Sequence, residues 1–162
     1  MSQEESVGEA QALDLDLVKG ALRFVPMLEV YYRRAHTEMP KDLQDLFDRY
    51  RLTGRHGGVL VQLAHEPELG VGELSARLSV GLSTVSELVG DLEWAGLVVR
   101  RKDPANRRRV LVALAEDHRE TMRVFIAKRA APLLRVFEHL DPRDSQGFAA
   151  GLEAWAKEVR SG

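Results

Sequence analysis

The stretch from Gly70 to Leu114 constrains the fold more than any other part of the chain, because its apolar spacing changes character within it. Leu74 and Leu78 recur at helical distance, and after Gly81 so do Val85, Leu88, Val89 and Leu92. This marks two short amphipathic helices joined by a tight turn at Ser79 to Leu82. Gly96 closes the second helix, which the spacing places at about Ser83 to Ala95. Leu97 to Arg101 and Arg109 to Leu114 are then dense in valine and leucine, with the polar loop KDPANRR between them, the pattern of a β-hairpin. Helix, tight turn, helix and hairpin in that order define a winged helix-turn-helix.

The flanks are helical. After a polar stretch over residues 1–12, Leu15, Val18, Leu22, Val25, Leu28 and Tyr32 form one helical face, and Pro26 within it either bends the helix or breaks it. Pro40 suits the first turn of a shorter helix through Leu43, Leu46, Phe47 and Tyr50. A further helix spans Arg55 to Ala64 on Val59, Leu60 and Leu63, although Gly57 and Gly58 each cost it about 1 kcal/mol relative to alanine. Past Ala115 the helical face returns at Met122, Phe125, Ile126, Leu133, Val136, Phe137 and Leu140, with Pro132 as a kink. Asp141 and Pro142 start a last helix carrying Phe148, Leu152, Trp155 and Val159. One copy of the chain offers these long amphipathic ends little to bury against, so the expected assembly is an isologous homodimer whose terminal helices share a core. The fold class that follows is mainly α with a small β-hairpin wing. Its parts are a polar tail at 1–12, N-terminal dimerisation helices at 13–51, the winged module at 52–114 and C-terminal dimerisation helices at 115–160.

Charge identifies the working surface. With 162 residues and a net charge of -2, the chain has no all-over basic coat, and contact with phosphate must come from a local cluster. Residues Arg100 to Arg109 supply it: Arg100, Arg101, Lys102, Arg107, Arg108 and Arg109 stand against Asp103 alone. A hairpin tip of this kind lays an arginine into a narrow minor groove while its neighbours meet phosphates, and the lack of interleaved aromatics favours double-stranded DNA over single strands. The second helix then enters the major groove with Ser83, Thr84 and Ser86 near base edges, or these residues serve only as cap and turn, Ser83 being a candidate N-cap. Glu87 either accepts from a cytosine amine or, with Asp91, pairs with Arg77 or the wing arginines.

Other chemistry lacks support. The absence of cysteine removes disulfides and thiolate metal sites. The histidines His36, His56, His65, His118 and His139 show no metal-ligand spacing, and no phosphate loop, nucleophile elbow or paired-carboxylate motif is present, so neither a cofactor nor an enzyme is expected. The opening MSQEESVGEAQ has no export pattern and no window approaches the roughly 20 apolar residues of a membrane span, which leads to the expectation of a cytoplasmic protein.

The segments GELSARL, STVSELVGDLEWAGLVVR and DPANRRRVLVAL together resemble the MarR family of bacterial regulators, over roughly Leu52 to Leu114. The resemblance implies a homodimer on a pseudo-palindromic operator, acting as a ligand-responsive repressor. In that family the wing carries an aspartate, any residue and an arginine, then a strand ending in Leu-Thr; the arginine reaches the minor groove and the aspartate braces it. The arginine falls on Arg108, and the DNA-facing wing residues are then Arg101, Lys102, Asn106, Arg107, Arg108 and Arg109. The aspartate is replaced by Asn106 and the threonine by Ala115, so the brace is uncharged and weaker. The resemblance also implies a crevice for a small anionic or aromatic effector, here lined by Tyr31, Arg34, Arg55 and His56; tyrosines in a dimer core and a surface arginine would account for the same residues. Glu87, Asp91 and Asn106 motivate an alternative, a winged-helix dimer that serves as a protein-interaction module without DNA binding.

Overall fold

The computed structural model describes residues 14–161, so the polar tail expected at 1–12 lies outside the described residues. The chain divides into two compact units, Met1–Glu38 and Met39–Gly162. The first contains helices α1 (Leu15–Leu22), α2 (Val25–Arg33) and α3 (Ala35–Glu38). Asp14 caps α1, its Oδ1 accepting from the amides of Asp16 and Leu17 at 3.0 Å. Of the two outcomes open at Pro26, the break is found. The helix stops at Leu22 and restarts at Val25, with the proline inside the new first turn, where its missing amide proton is no loss.

The second unit contains α4 (Lys41–Tyr50), α5 (Gly54–Ala64), strand β1 (Leu69–Gly70), α6 (Val71–Leu78), α7 (Leu82–Trp94), strands β2 (Val98–Lys102) and β3 (Val110–Leu114), α8 (Glu116–His139) and α9 (Pro142–Ser161). Its core gathers Leu60 and Leu63 of α5, Leu74 of α6, Val85, Val89 and Leu92 of α7, Val98 and Val112 of the hairpin, and Met122 and Ile126 of α8. Leu43 and Phe47 of α4 belong to the same core, so α4 sits with the winged module rather than with the N-terminal helices among which its position in the chain places it. Pro40 precedes α4 as its cap residue, one place earlier than its expected first-turn position.

The strands form one antiparallel sheet in the order β1-β3-β2. In the hairpin, Val98 faces Leu114 and Lys102 faces Val110. Strand β1, which two residues without a period could not announce, adds Leu69 opposite Val112 and Gly70 opposite Leu111. Helix α7 ends where Gly96 adopts φ +76°, a conformation costly for a side chain with a Cβ, and the amide of Leu97 donates back to the carbonyl of Leu92 at 2.9 Å. This reversal sends the chain directly into β2.

Helix α8 continues through Pro132, and α9 begins as its sequence requires, with Asp141 Oδ1 accepting from the amide of Asp144 at 2.8 Å and Pro142 in the first turn. Beyond Ile126 these two helices carry mostly exposed apolar side chains, among them Leu134, Val136, Leu152, Trp155 and Val159.

Candidate nucleic-acid interface

Helix α6, the turn and helix α7 form the helix-turn-helix. The turn holds Ser79 at φ 49°, and Ser75 Oγ donates to the carbonyl of Val80 at 2.6 Å, which fixes the chain between the two helices. Helix α7 begins at Leu82 with Gly81 as its cap residue, so Ser83 is not the N-cap but already lies in the first turn. Gly81 takes an extended ψ of 147° and its carbonyl accepts from the amide of Val85 at 3.0 Å, which starts the helix earlier than a serine cap would. Val85, Leu88, Val89 and Leu92 are buried, which leaves Ser83, Ser86 and Glu87 exposed on the opposite face and Thr84 half-buried between.

The wing tip is a turn held by its own side chains. Asp103 accepts from the amide of Ala105 at 2.9 Å, and the backbone closes with Asp103 donating to the carbonyl of Arg109 at 3.0 Å. Asn106 Oδ1 accepts from the backbone amide of Arg108 at 3.1 Å. The asparagine thus braces the main chain beneath Arg108 and not its guanidinium, a role that needs no charge.

The basic cluster divides in two. Arg100 pairs with Glu93 at the end of α7, its Nε 2.7 Å from the carboxylate. Arg101 Nε donates to Glu68 at 2.9 Å, and Arg109 bonds Glu73 while its Nη1 lies 3.4 Å from Asp103. Lys102, Arg107 and Arg108, all exposed, form no ion pair with any described residue. Glu73 is held below its ordinary carboxylate pKa first by the amide of Gly70, which donates to it, and next by Arg109; Glu93 is lowered by its bond to Arg100. These acidic partners go unannounced in the sequence, where only Glu73, three residues after the cap residue Gly70, carries a recognisable helix-start signal.

The remaining candidates fall in separate places. His56 is only 7% exposed; its Nδ1 accepts from the amide of Thr53 at 2.9 Å, which leaves the proton on Nε2 to donate to Asp91 Oδ2 at 3.1 Å. The ring therefore joins the start of α5 to the middle of α7, and both nitrogens are used within the fold rather than turned to a ligand. Arg77 pairs with Glu66 at 3.2 Å, so neither of the pairings open for Asp91 is the one adopted, and Glu87 forms no ion pair with a described residue. Arg55 lines a cavity of about 690 Å³ with Gly58, Leu78, Val80, Thr84, Leu88 and Lys157. In the N-terminal unit, Tyr31 is half-buried and packs edge-on against Tyr32 at 5.4 Å, and Arg34 is the exposed residue closing α2.

Among the described residues no cluster of histidine, aspartate and glutamate could hold a metal ion, and no helix is long and apolar enough to cross a membrane. A winged helix-turn-helix with a basic wing is the architecture of DNA-binding regulators. Residues 52–109 match the model of the MarR family, and this winged module belongs to that family. An uncharacterised HTH-type transcriptional regulator of Bacillus subtilis, YsmB, is 26% identical over 117 residues, 72% of this chain and 80% of the relative. Among solved structures, Streptococcus pneumoniae FabT in complex with DNA superposes with a TM-score of 0.61 at 16% identity, covering 91% of this chain and 99% of the other. PcaV of Streptomyces coelicolor, solved with its natural ligand, gives 0.54 at 24% identity over 91% and 98%. At these identities the structures establish the fold. Family and fold together support a DNA-binding regulator, a class whose members are not enzymes.

Proposed function

We propose that the chain acts as a homodimer that binds a pseudo-palindromic DNA operator and represses transcription until a small anionic or aromatic effector releases it. The observation that carries this reading is the division of the wing: Lys102, Arg107 and Arg108 have no acidic partner among the described residues, beside a helix whose outward residues include the short polar Ser83 and Ser86. Serine at the start of such a helix suits base-edge contact, and arginine at a hairpin tip suits the minor groove. The recognition helix supplies no positive charge of its own, so phosphate attraction rests on the wing.

Two further features support the assembly and its regulation. Each unit carries exposed apolar residues that a second copy would cover, Leu22 and Met27 on α1 and α2 of the first and Leu134, Leu152 and Trp155 on α8 and α9 of the second. The cavity is lined by Arg55, by Lys157, which pairs with Glu153 at 2.5 Å, and by Thr84 in the first turn of the recognition helix, so an anionic occupant drawn to Arg55 would touch the DNA-reading element directly. PcaV, with its natural ligand, and FabT, with its DNA, offer relatives of the same fold in each state. An effector of this kind shifts the equilibrium by its differential affinity for the DNA-competent and incompetent arrangements, and by no more.

The test combines sedimentation with selection of duplexes from a random library. The proposal requires a dimer in solution, enrichment of a two-fold symmetric sequence, and affinity that falls steeply with salt. A dimer that enriches no duplex would instead favour the protein-interaction alternative, for which exposed Glu87 on the recognition helix speaks.

A further inference from the structure

The ion pairs at the base of the wing converge on one short segment. Arg109, the residue before β3, bonds Glu73 in the first turn of α6, and its other terminal nitrogen lies 3.4 Å from Asp103 across the turn. Glu73 Oε2 simultaneously accepts from the amide of Gly70 at 2.8 Å. The site is closely filled: a Cβ on Gly70 would stand 2.9 Å from Arg109 Nε and 3.1 Å from Glu73 Oε2. From the neighbouring strand, Arg101 reaches Glu68 at 2.9 Å, immediately before β1. The two arginines thus hold the chain on either side of β1, Arg101 at Glu68 before it and Arg109 at Glu73 in the first turn of α6.

That strand pairs only Leu69 and Gly70 with β3. So short a pairing gives the wing little purchase on the helix-turn-helix, and an isolated hairpin is marginally stable in water. Single exposed ion pairs are weak, but Glu73 shares its oxygen between a guanidinium and a backbone amide, and Arg109 bridges two carboxylates, so the members order one another. A wing fixed before binding loses less conformational entropy on the duplex than one that must be ordered there.

We propose that Arg101 and Arg109 are positioning residues that set the wing against the helix-turn-helix, and that DNA is met by Lys102, Arg107 and Arg108. This rests on the DNA-binding reading above and divides its labour. It separates residues that the same basic run groups together.

The experiment uses the full-length protein and four variants, Arg109→Gln, Glu73→Gln, the double variant and Arg108→Ala. Glu73→Gln keeps an acceptor for the Gly70 amide while removing the charge. Amide hydrogen exchange of the free protein is measured across the wing, and binding to the selected duplex is measured over a salt series. Arg109→Gln and Glu73→Gln are each expected to speed exchange at the amides of Asp103 and Arg109. Each should weaken binding roughly 3- to 10-fold without changing the salt slope, with the double variant no worse than Arg109→Gln alone. Arg108→Ala should leave exchange as in wild type and flatten the slope by about 1 for each phosphate that the protein no longer neutralises. Unchanged exchange in Arg109→Gln together with a flattened slope, or tighter binding by Glu73→Gln, would overturn the proposal by making Arg109 a DNA contact. If no duplex binds the wild type, the DNA reading fails, while unchanged exchange in Arg109→Gln would still refute the anchoring.

Discussion

The recognition helix and the wing follow one another in the chain and carry opposite charge. Helix α7 holds Glu87, Asp91 and Glu93 and no lysine or arginine, whereas Arg100 to Arg109 holds six basic residues and one acidic one. The contrast is less simple than its charge count. Two of the three acids on the helix are occupied, Asp91 by His56 and Glu93 by Arg100, and three of the six wing cations are occupied as well. Among the described residues, one carboxylate of the helix, Glu87, and three cations of the wing, Lys102, Arg107 and Arg108, are left without an ion partner. Attraction and discrimination can therefore be placed on different elements: charge acts over a Debye length and needs no exact register, while hydroxyls act only at contact.

The contrast can be broken most directly at the wing tip. Replacing Arg107 and Arg108 together by alanine should lower duplex affinity by about 100-fold and flatten the salt dependence, read by fluorescence anisotropy over a salt series. A smaller effect is expected where the two regions are held to the rest of the module. His56→Ala removes a buried ring that bonds both Thr53 and Asp91, and should cost about 1–3 kcal/mol in urea denaturation, with Asp91→Asn milder because the amide oxygen still accepts. Equal stability of His56→Ala and wild type would show that α7 does not depend on this tie. The smallest effect should come from neutralising the helix: Glu87→Gln removes the one carboxylate of α7 without an ion partner among the described residues and should tighten binding by about 2- to 5-fold at low salt. Relaxed preference for one base in the selected sequence would sharpen the picture further, by making Glu87 a base-reading residue.

Much of the site could be read in the sequence because its signals are local. The tight turn after Leu78, the glycine closing α7 and the valine-rich strands around KDPANRR announce themselves within a few residues, and so does the clustering of positive charge. The sequence misplaces the first residue of α7 because a serine is the commoner cap and nothing nearby shows that Gly81 is already extended. Helix α4 shows a different limit: an amphipathic stripe tells that a face is buried but not against what, and Leu43 and Phe47 pack into the core of the winged module. His56 illustrates both limits, since its chemistry fits a ligand pocket and only its position shows that both ring nitrogens are already engaged.

The chain's sequence by itself determined the order and type of its longer helices and of the hairpin, the winged helix-turn-helix they make, and the location of its positive charge, since periodicity, turn chemistry and local charge act between near neighbours. The tertiary structure alone decided which of those charges are paired within the described fold and which are not. The pairs that settle it join residues far apart in the chain, Arg109 with Glu73 at a separation of 36, Arg101 with Glu68 at 33 and His56 with Asp91 at 35. Electrostatic and hydrogen-bond energies depend on distance in space, and only the packed fold brings these groups within reach of one another.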